Sequence, residues 1–200
     1  MGSLTIVENV SLDGVVQAPG SPDEDTRDGF AHGGWFGPYP DAVLGEVMGR
    51  GMAGGGAMLF GRRTFESMQA AWAGTTDNPF GPVLDAKQKY VVSRGGDLSP
   101  TWAHTTVVAG DAARTVADLK SRGDLDLTVL GSPGLLATLL PAGLVDEAWL
   151  AVAPVVLGSG RTLFPTGAHL HWELVESVPT TTGVVLSHYR LASPPPSRTP

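Results

Sequence analysis

The chain has 200 residues, 42% of them hydrophobic, and a formal net charge of -7. That length and composition allow one sizeable core, and the acidic balance leaves no general basic footprint for nucleic acid. Cysteine is absent, which excludes disulfides, thiolate catalysis and cysteine-ligated metals and fits a reducing cytoplasm. No apolar run is long enough to span a bilayer, and no basic stretch followed by an apolar one marks a signal peptide.

In chain order, Leu4 to Val10 is short and β-prone and reads as a first central strand, turned by Ser11-Leu12-Asp13-Gly14. Gln17 to Pro40 is loop-like, with prolines, acidic residues and a Gly33-Gly34-Trp35 cluster; a loop of that length in a compact domain is usually functional or disordered. Asp41 to Arg50 has helical spacing, with Val43, Leu44, Val47 and Met48 on one side. Gly54-Gly55-Gly56 leads into a strand at Ala57–Phe60, followed by a helix from Thr64 to Ala71 and a polar loop from Thr75 to Pro82. Strands are expected at Tyr90–Val92 and Thr105–Val108, then an amphipathic helix at Ala112–Ser121 capped by Asp111. Leu127–Leu130 reads as a strand, Leu135–Leu140 as a helix and Glu147–Val152 as a strand. Leu174–Val178 and Val184–Arg190 form a final antiparallel pair. Residues 1–192 make a single domain, and 193–200, rich in proline and serine, a loose tail. Strands alternating with helices predict an α/β fold with a mostly parallel central sheet, helices on both faces and an antiparallel C-terminal edge.

Ligands of such sheets bind beyond the carboxyl ends of the strands. Two glycine turns fall on that rim: Phe60-Gly61-Arg62-Arg63-Thr64 and Leu130-Gly131-Ser132-Pro133-Gly134. Helix N-termini carry unpaired N–H groups and partial positive charge, so phosphates bind there, and two such turns suit a dinucleotide. Arg62 and Arg63 open a helix, where cations oppose the dipole. Taken alone, two solvated arginines on a surface turn are the commoner case. With Arg94 after Ser93 on the same rim, they form a phosphate clamp suited to a ribose 2′-phosphate. Gly131-Ser132-Pro133-Gly134 is either a pyrophosphate cradle or a plain turn with Pro133 near the first helical position. It is not the G-x-G-x-x-G fingerprint. Neither Ser93 nor Ser132 has a histidine and acid at triad spacing, and His169 and His171 lack a carboxylate pattern for metal, so no metal is expected. Asp13 is either a turn residue or a polar group lining the site.

Gly61-Arg62-Arg63-Thr64-Phe65-Glu66-Ser67-Met68, Val91-Val92-Ser93-Arg94 and Val129-Leu130-Gly131-Ser132-Pro133-Gly134 resemble the cofactor segments of dihydrofolate reductases. Ser11-Leu12-Asp13-Gly14 and the run from Ala153 to Phe164 (APVVLGSGRTLF) resemble the riboflavin-pathway reductase branch of the same superfamily. The likeness runs in order from Leu4 to Leu191 and implies a dihydrofolate reductase-like fold, NADPH binding and hydride transfer. It implies that Arg62, Arg63, Thr64, Ser93 and Arg94 contact the adenosine half, that Gly61 and Gly131 to Gly134 contact the phosphates, and that Val15 and Val16 lie against the nicotinamide. A homodimer is a further implication.

Two departures bear on the substrate. Gly45 stands where dihydrofolate reductases carry the acid that pairs with the pterin, with Asp41 and Glu46 only nearby, and Ala151 replaces the threonine that supports it. A pterin edge left unpaired there loses ~1–3 kcal/mol per group, so dihydrofolate is not the expected substrate. The expectation is a reductase of a C=N or C=O bond in another small cyclic molecule, with Trp35 and Tyr39 in a lid over it and Asp13, Asp41, Glu8 or bound water as proton source. The competing expectation is a module that binds nucleotide without turnover.

Overall fold

The structure, a computed structural model, describes residues 1–53, 56–95, 97–123 and 125–193. The expected Gly54-Gly55 lead-in and the 194–200 tail lie outside them. Among the described residues, eight strands make one mixed sheet: β1 (Leu4–Ser11), β2 (Ala57–Gly61), β3 (Lys89–Ser93), β4 (Thr105–Ala109), β5 (Leu127–Leu130), β6 (Glu147–Ala153), β7 (His171–Pro179) and β8 (Val185–Ala192). Their order is β4-β3-β2-β5-β1-β6-β8-β7. The five pairings from β4 to β6 are parallel, and β8 is antiparallel to both β6 and β7. The helices are α1 (Ala42–Ala53), α2 (Arg62–Trp72), α3 (Phe80–Ala86), α4 (Ala112–Ser121) and α5 (Pro133–Leu139).

Alternation along the strands splits the interior into two faces. Leu4, Ile6 and Val10 of β1 join Leu59, Leu127 and Val129 in a cluster under α4 and α5, closed by Val116, Leu119, Leu136 and Leu139. On the other face, Met58, Phe60 and Val91 pack with Phe65 of α2 and Leu84 of α3. Ala151, Ala153 and Leu186 pack there with Leu44 and Val47 of α1.

One expectation needs correction. The segment read as a polar loop from Thr75 to Pro82 runs into α3. Asn78 accepts the amide of Phe80 through its side chain at 3.0 Å. Pro82 falls in the first turn, where an amide hydrogen is not needed, so the prolines start this helix. The helix end is completed by Lys89, which is fully buried. Its Nζ donates to the carbonyls of Asp85, Lys87 and Ala103 at 3.2, 2.8 and 3.0 Å and lies 4.5 Å from the centre of the Trp102 ring. Burial pulls its pKa down to about 8.

Candidate functional site

The parallel strands end along one rim, and the two glycine turns meet there. Gly61 closes β2 and caps α2. Ser132 closes the turn after β5 with φ 73° and ψ 61°, a left-handed conformation that disfavours a side chain by about 1–2 kcal/mol. That conformation brings Ser132 Oγ to accept the amide of Gly61 at 2.8 Å, across 71 positions of sequence. Gly131 also has positive φ, and a Cβ on it would lie 3.0 Å from Thr64 Cγ2. The turns are therefore pressed together: a side chain at Gly131 would be strained by the positive φ and would have to push Thr64 aside.

Beyond this junction runs a groove of about 460 Å³ whose walls include Gly61, Thr64, Ser93, Ser132, Pro133 and Gly134. Among the described residues, five arginines reach it: Arg27, Arg62, Arg63, Arg94 and Arg161. Arg62 is already engaged, with Glu66 at 3.0 Å and Asp97 at 2.6 Å. Among the described residues, Arg63 and Arg94 have no ion pair. Arg27 pairs with Asp25. Arg161 bonds Asp28 at 2.8 Å, while its Nε is buried without a partner.

A second opening of about 770 Å³ adjoins the groove, sharing Arg27, Arg63, Thr64, Ser132 and Pro133 with it. It lies between the start of the long loop and α2, with Val16, Ala18, Ser67, Ala70 and Gly131 among its walls. Val16 is fixed by its amide, which donates to the carbonyl of Arg161 at 2.9 Å. Gln17, 2% exposed, braces the same corner. Its Nε2 donates to the carbonyls of Asp25 and Arg27 at 3.0 and 3.1 Å, and its Oε1 accepts the amide of Arg161 at 3.0 Å. Glu8, on β1, is 5% exposed and also lines this cleft. Burial, with Glu24 adding like charge, pushes its pKa well above the usual carboxylate range.

The other residues expected in the chemistry stand elsewhere. Asp13 lines neither opening. Its carboxylate accepts from Ser11 Oγ at 2.6 Å and from the amides of Leu157 and Gly158 at 3.1 and 2.7 Å. The Ser11 hydroxyl and these amides hold its pKa down at about 2, so it serves as a latch between the first turn and the 157–158 segment. Asp41 also lines neither opening. It accepts the amide of Leu44 at 2.8 Å, capping α1, and the amide and hydroxyl of Thr181 at 2.7 and 2.6 Å. These bonds lower its pKa. Trp35 is 8% exposed, packed with Phe30, Phe36 and Leu44, and its Nε1 donates to the carbonyl of Gln17 at 2.8 Å. Tyr39 is half-buried beside it, its ring 5.9 Å from Phe36. The aromatics of the long loop thus fill the interior beneath it and do not face either opening.

Sequence reasoning singled out neither Gln17, nor Arg27, nor Arg161. Gln17 and Arg161 are 144 positions apart, and no local spacing signals their meeting. Among the described residues no three His, Cys, Asp or Glu side chains gather to hold a metal, and no helix is long and apolar enough to cross a membrane.

A Bacillus subtilis (strain 168) protein, described as uncharacterized protein YyaP, is 30% identical over 112 residues, covering 54% of this chain. The matched part spans 58% of that relative's length. A solved structure from Shewanella sp. PV-4, described as a candidate riboflavin biosynthesis protein, superimposes with a TM-score of 0.67 at 18% identity, over 96% of this chain and 99% of that one. Dihydrofolate reductase from Enterococcus faecalis, complexed with NADP(H), superimposes with a TM-score of 0.60 at 14% identity, over 96% of this chain and 98% of that one. At these identities the superpositions establish the fold alone, a dihydrofolate reductase-like mixed sheet. Residues 3–186 match the family described as RibD C-terminal domain, and a match across almost the whole chain makes this protein a member of that family.

Proposed function

We propose that this chain is an NADPH-dependent reductase that delivers hydride to a C=N or C=O bond of a small cyclic substrate other than dihydrofolate. The observation that carries the reading is the arginine-flanked groove opening from the locked pair of glycine turns. Its residues suit a phosphorylated dinucleotide. Arg63 and Arg94, with Thr64 and Ser93 between them on the wall, offer planar guanidinium groups to a 2′-phosphate. The Gly131 backbone is bare where a Cβ would crowd Thr64, and with Ser132, Pro133 and Gly134 it borders the path a pyrophosphate would take. Val16, fixed by Arg161, closes the end where a nicotinamide would lie.

When bound, NADPH supplies the hydride. The protein positions both reactants and keeps water from the reacting carbon. The cleft beside Val16 is of a size for a small ring. Against a pterin stands the chain's own sequence: Gly45 on α1 and Ala151, buried on β6, offer no acid–hydroxyl pair at the two positions where dihydrofolate reductases carry one.

The test is a titration of the purified chain with NADPH and with NADH, followed by calorimetry or cofactor fluorescence. Saturable NADPH binding, with NADH markedly weaker, is expected. Correctly folded protein that binds neither nucleotide would overturn the reading. For the reductase itself, a substrate screen should find NADPH oxidation that depends on the added molecule, with deuterium passing from labelled cofactor to product.

A further inference from the structure

The site described so far holds and orients, but a reduction also consumes a proton, and the carboxylates of Asp13 and Asp41 are committed to backbone and hydroxyl donors elsewhere. Glu8 is different in kind. It sits on β1, one residue before the register pair Asn9–Ala151, on the face shared with Ile6 and Val10, near the rim. Its strand neighbours on that face are apolar. Its side chain is 95% shielded from solvent, judged from its 5% exposure, and Oε1 is buried with no hydrogen-bond partner. A carboxyl buried without a partner is costly as an anion and is kept as the neutral acid. It lines the cleft whose other walls include Val16 and the Gly131–Ser132 turn. The charged groups bordering that cleft are Asp23, Glu24 and Asp25 with Arg27 from the long loop, and Arg63 with Glu66 from α2. The carboxylates outnumber the guanidiniums, and Arg27 is tied to Asp25.

We propose that Glu8 is the general acid of the reduction, a catalytic residue that hands its carboxyl proton to the nitrogen or oxygen of the substrate double bond. This rests on the reductase reading above. The bookkeeping closes: the substrate carbon gains a C–H bond from the hydride, and the C=N or C=O π pair moves to the heteroatom. The Glu8 O–H bond breaks as the heteroatom gains its proton. The cofactor leaves oxidised, and Glu8 is left as a carboxylate that recovers a proton from solvent when the cleft next opens.

The proposal has a consequence that needs no substrate. A carboxyl placed to protonate a molecule stacked on the nicotinamide also feels the ring's charge, which is positive in NADP+ and neutral in NADPH. NADP+ should therefore expel the Glu8 proton on binding, and NADPH should not. Calorimetric titration of each nucleotide in buffers of different ionisation enthalpy reads this directly. The expected result for the unaltered chain is about one more proton released with NADP+ than with NADPH, and a NADP+ affinity that climbs about tenfold per pH unit relative to NADPH while Glu8 is protonated. Titration of the 2′-phosphate, with a second pKa near ~6, is common to both nucleotides and cancels in the comparison. Glu8→Gln, which keeps shape and neutrality, should bind both nucleotides and erase the difference. Equal proton release in the unaltered chain, or a difference that survives in Glu8→Gln, overturns the proposal while leaving NADPH binding intact. Binding of neither nucleotide takes the reductase reading down first. A second measurement needs no variant: carbon-detected NMR of the carboxyl-labelled chain should show Glu8 protonated at neutral pH without nucleotide, and an ionised Glu8 there sinks the idea.

Discussion

Arg62 and Arg63 are adjacent in sequence and have opposite circumstances. Arg62 is balanced by Glu66 and Asp97, whereas Arg63 faces both openings with no carboxylate partner among the described residues. A charge-assisted contact to phosphate is worth about 1.5–3 kcal/mol, so Arg63→Ala should weaken NADPH about tenfold to a hundredfold. NADH should change little, and Arg62→Ala should do less than Arg63→Ala. Equal losses for both nucleotides in Arg63→Ala would place the arginine away from the 2′-phosphate. Asp13 gives the second residue-level prediction. Its pKa is about 2 when folded against the usual 3.8, so the folded chain binds fewer protons than the unfolded one between those values. The stabilisation from Asp13 is whole above the unfolded value and drains away as pH falls toward 2. Asp13→Asn should flatten that part of the acid limb of a stability-versus-pH curve, and an unchanged limb would contradict the latch.

At the scale of elements, the Ser132–Gly61 bond is the joint between β5–α5 and β2–α2. Ser132→Ala leaves the Gly61 amide unpaired next to a closely packed turn, at a loss of about 1–3 kcal/mol measurable by denaturant unfolding. It should also weaken NADPH, because the same joint shapes the groove. How far these elements could be read beforehand depends on how local their causes are. Helix α4 was legible to the residue, since its Asp111 cap, accepting the Arg114 amide at 2.9 Å, and its apolar spacing lie within a dozen positions. The strand–turn pairs at Gly61 and Gly131 were legible for the same reason. Helix α3 was not, because the polar segment from Thr75 to Pro82 reads as a loop, while its two prolines serve here at a helix start. Lys89, charged in sequence and fully buried in space, takes its meaning from carbonyls on two separate segments. Gln17 draws its partners from both flanks of the rim, and Trp35 from α1 and β6. Aromatics in a long loop look like a lid in sequence, but the unmet core above β6 claimed them first.

For the whole molecule, charge is unevenly spread. The formal net charge is -7, yet five of its 13 Lys and Arg residues border one groove. A nucleotide carrying several negative charges is thus repelled by the chain at large and drawn by one edge of it. Exposed charges are screened over about 8 Å at physiological salt, so NADPH affinity should fall steadily as salt is raised, and more steeply than in Arg63→Ala. A salt-independent affinity would argue against electrostatic capture by these arginines.

The strand order carries a last consequence, for how the chain comes to be folded. β5 lies between β1 and β2, so the two earliest strands never touch and wait for Leu127–Leu130 to wedge between them. A nascent chain emerging from the ribosome holds two unjoined fragments until that wedge arrives, and the Ser132–Gly61 joint closes in the same stroke. Any ligand gripping the joint therefore recognises only the finished sheet. It should slow amide hydrogen exchange across β1, β2 and β5 together, and not merely in the turns it touches.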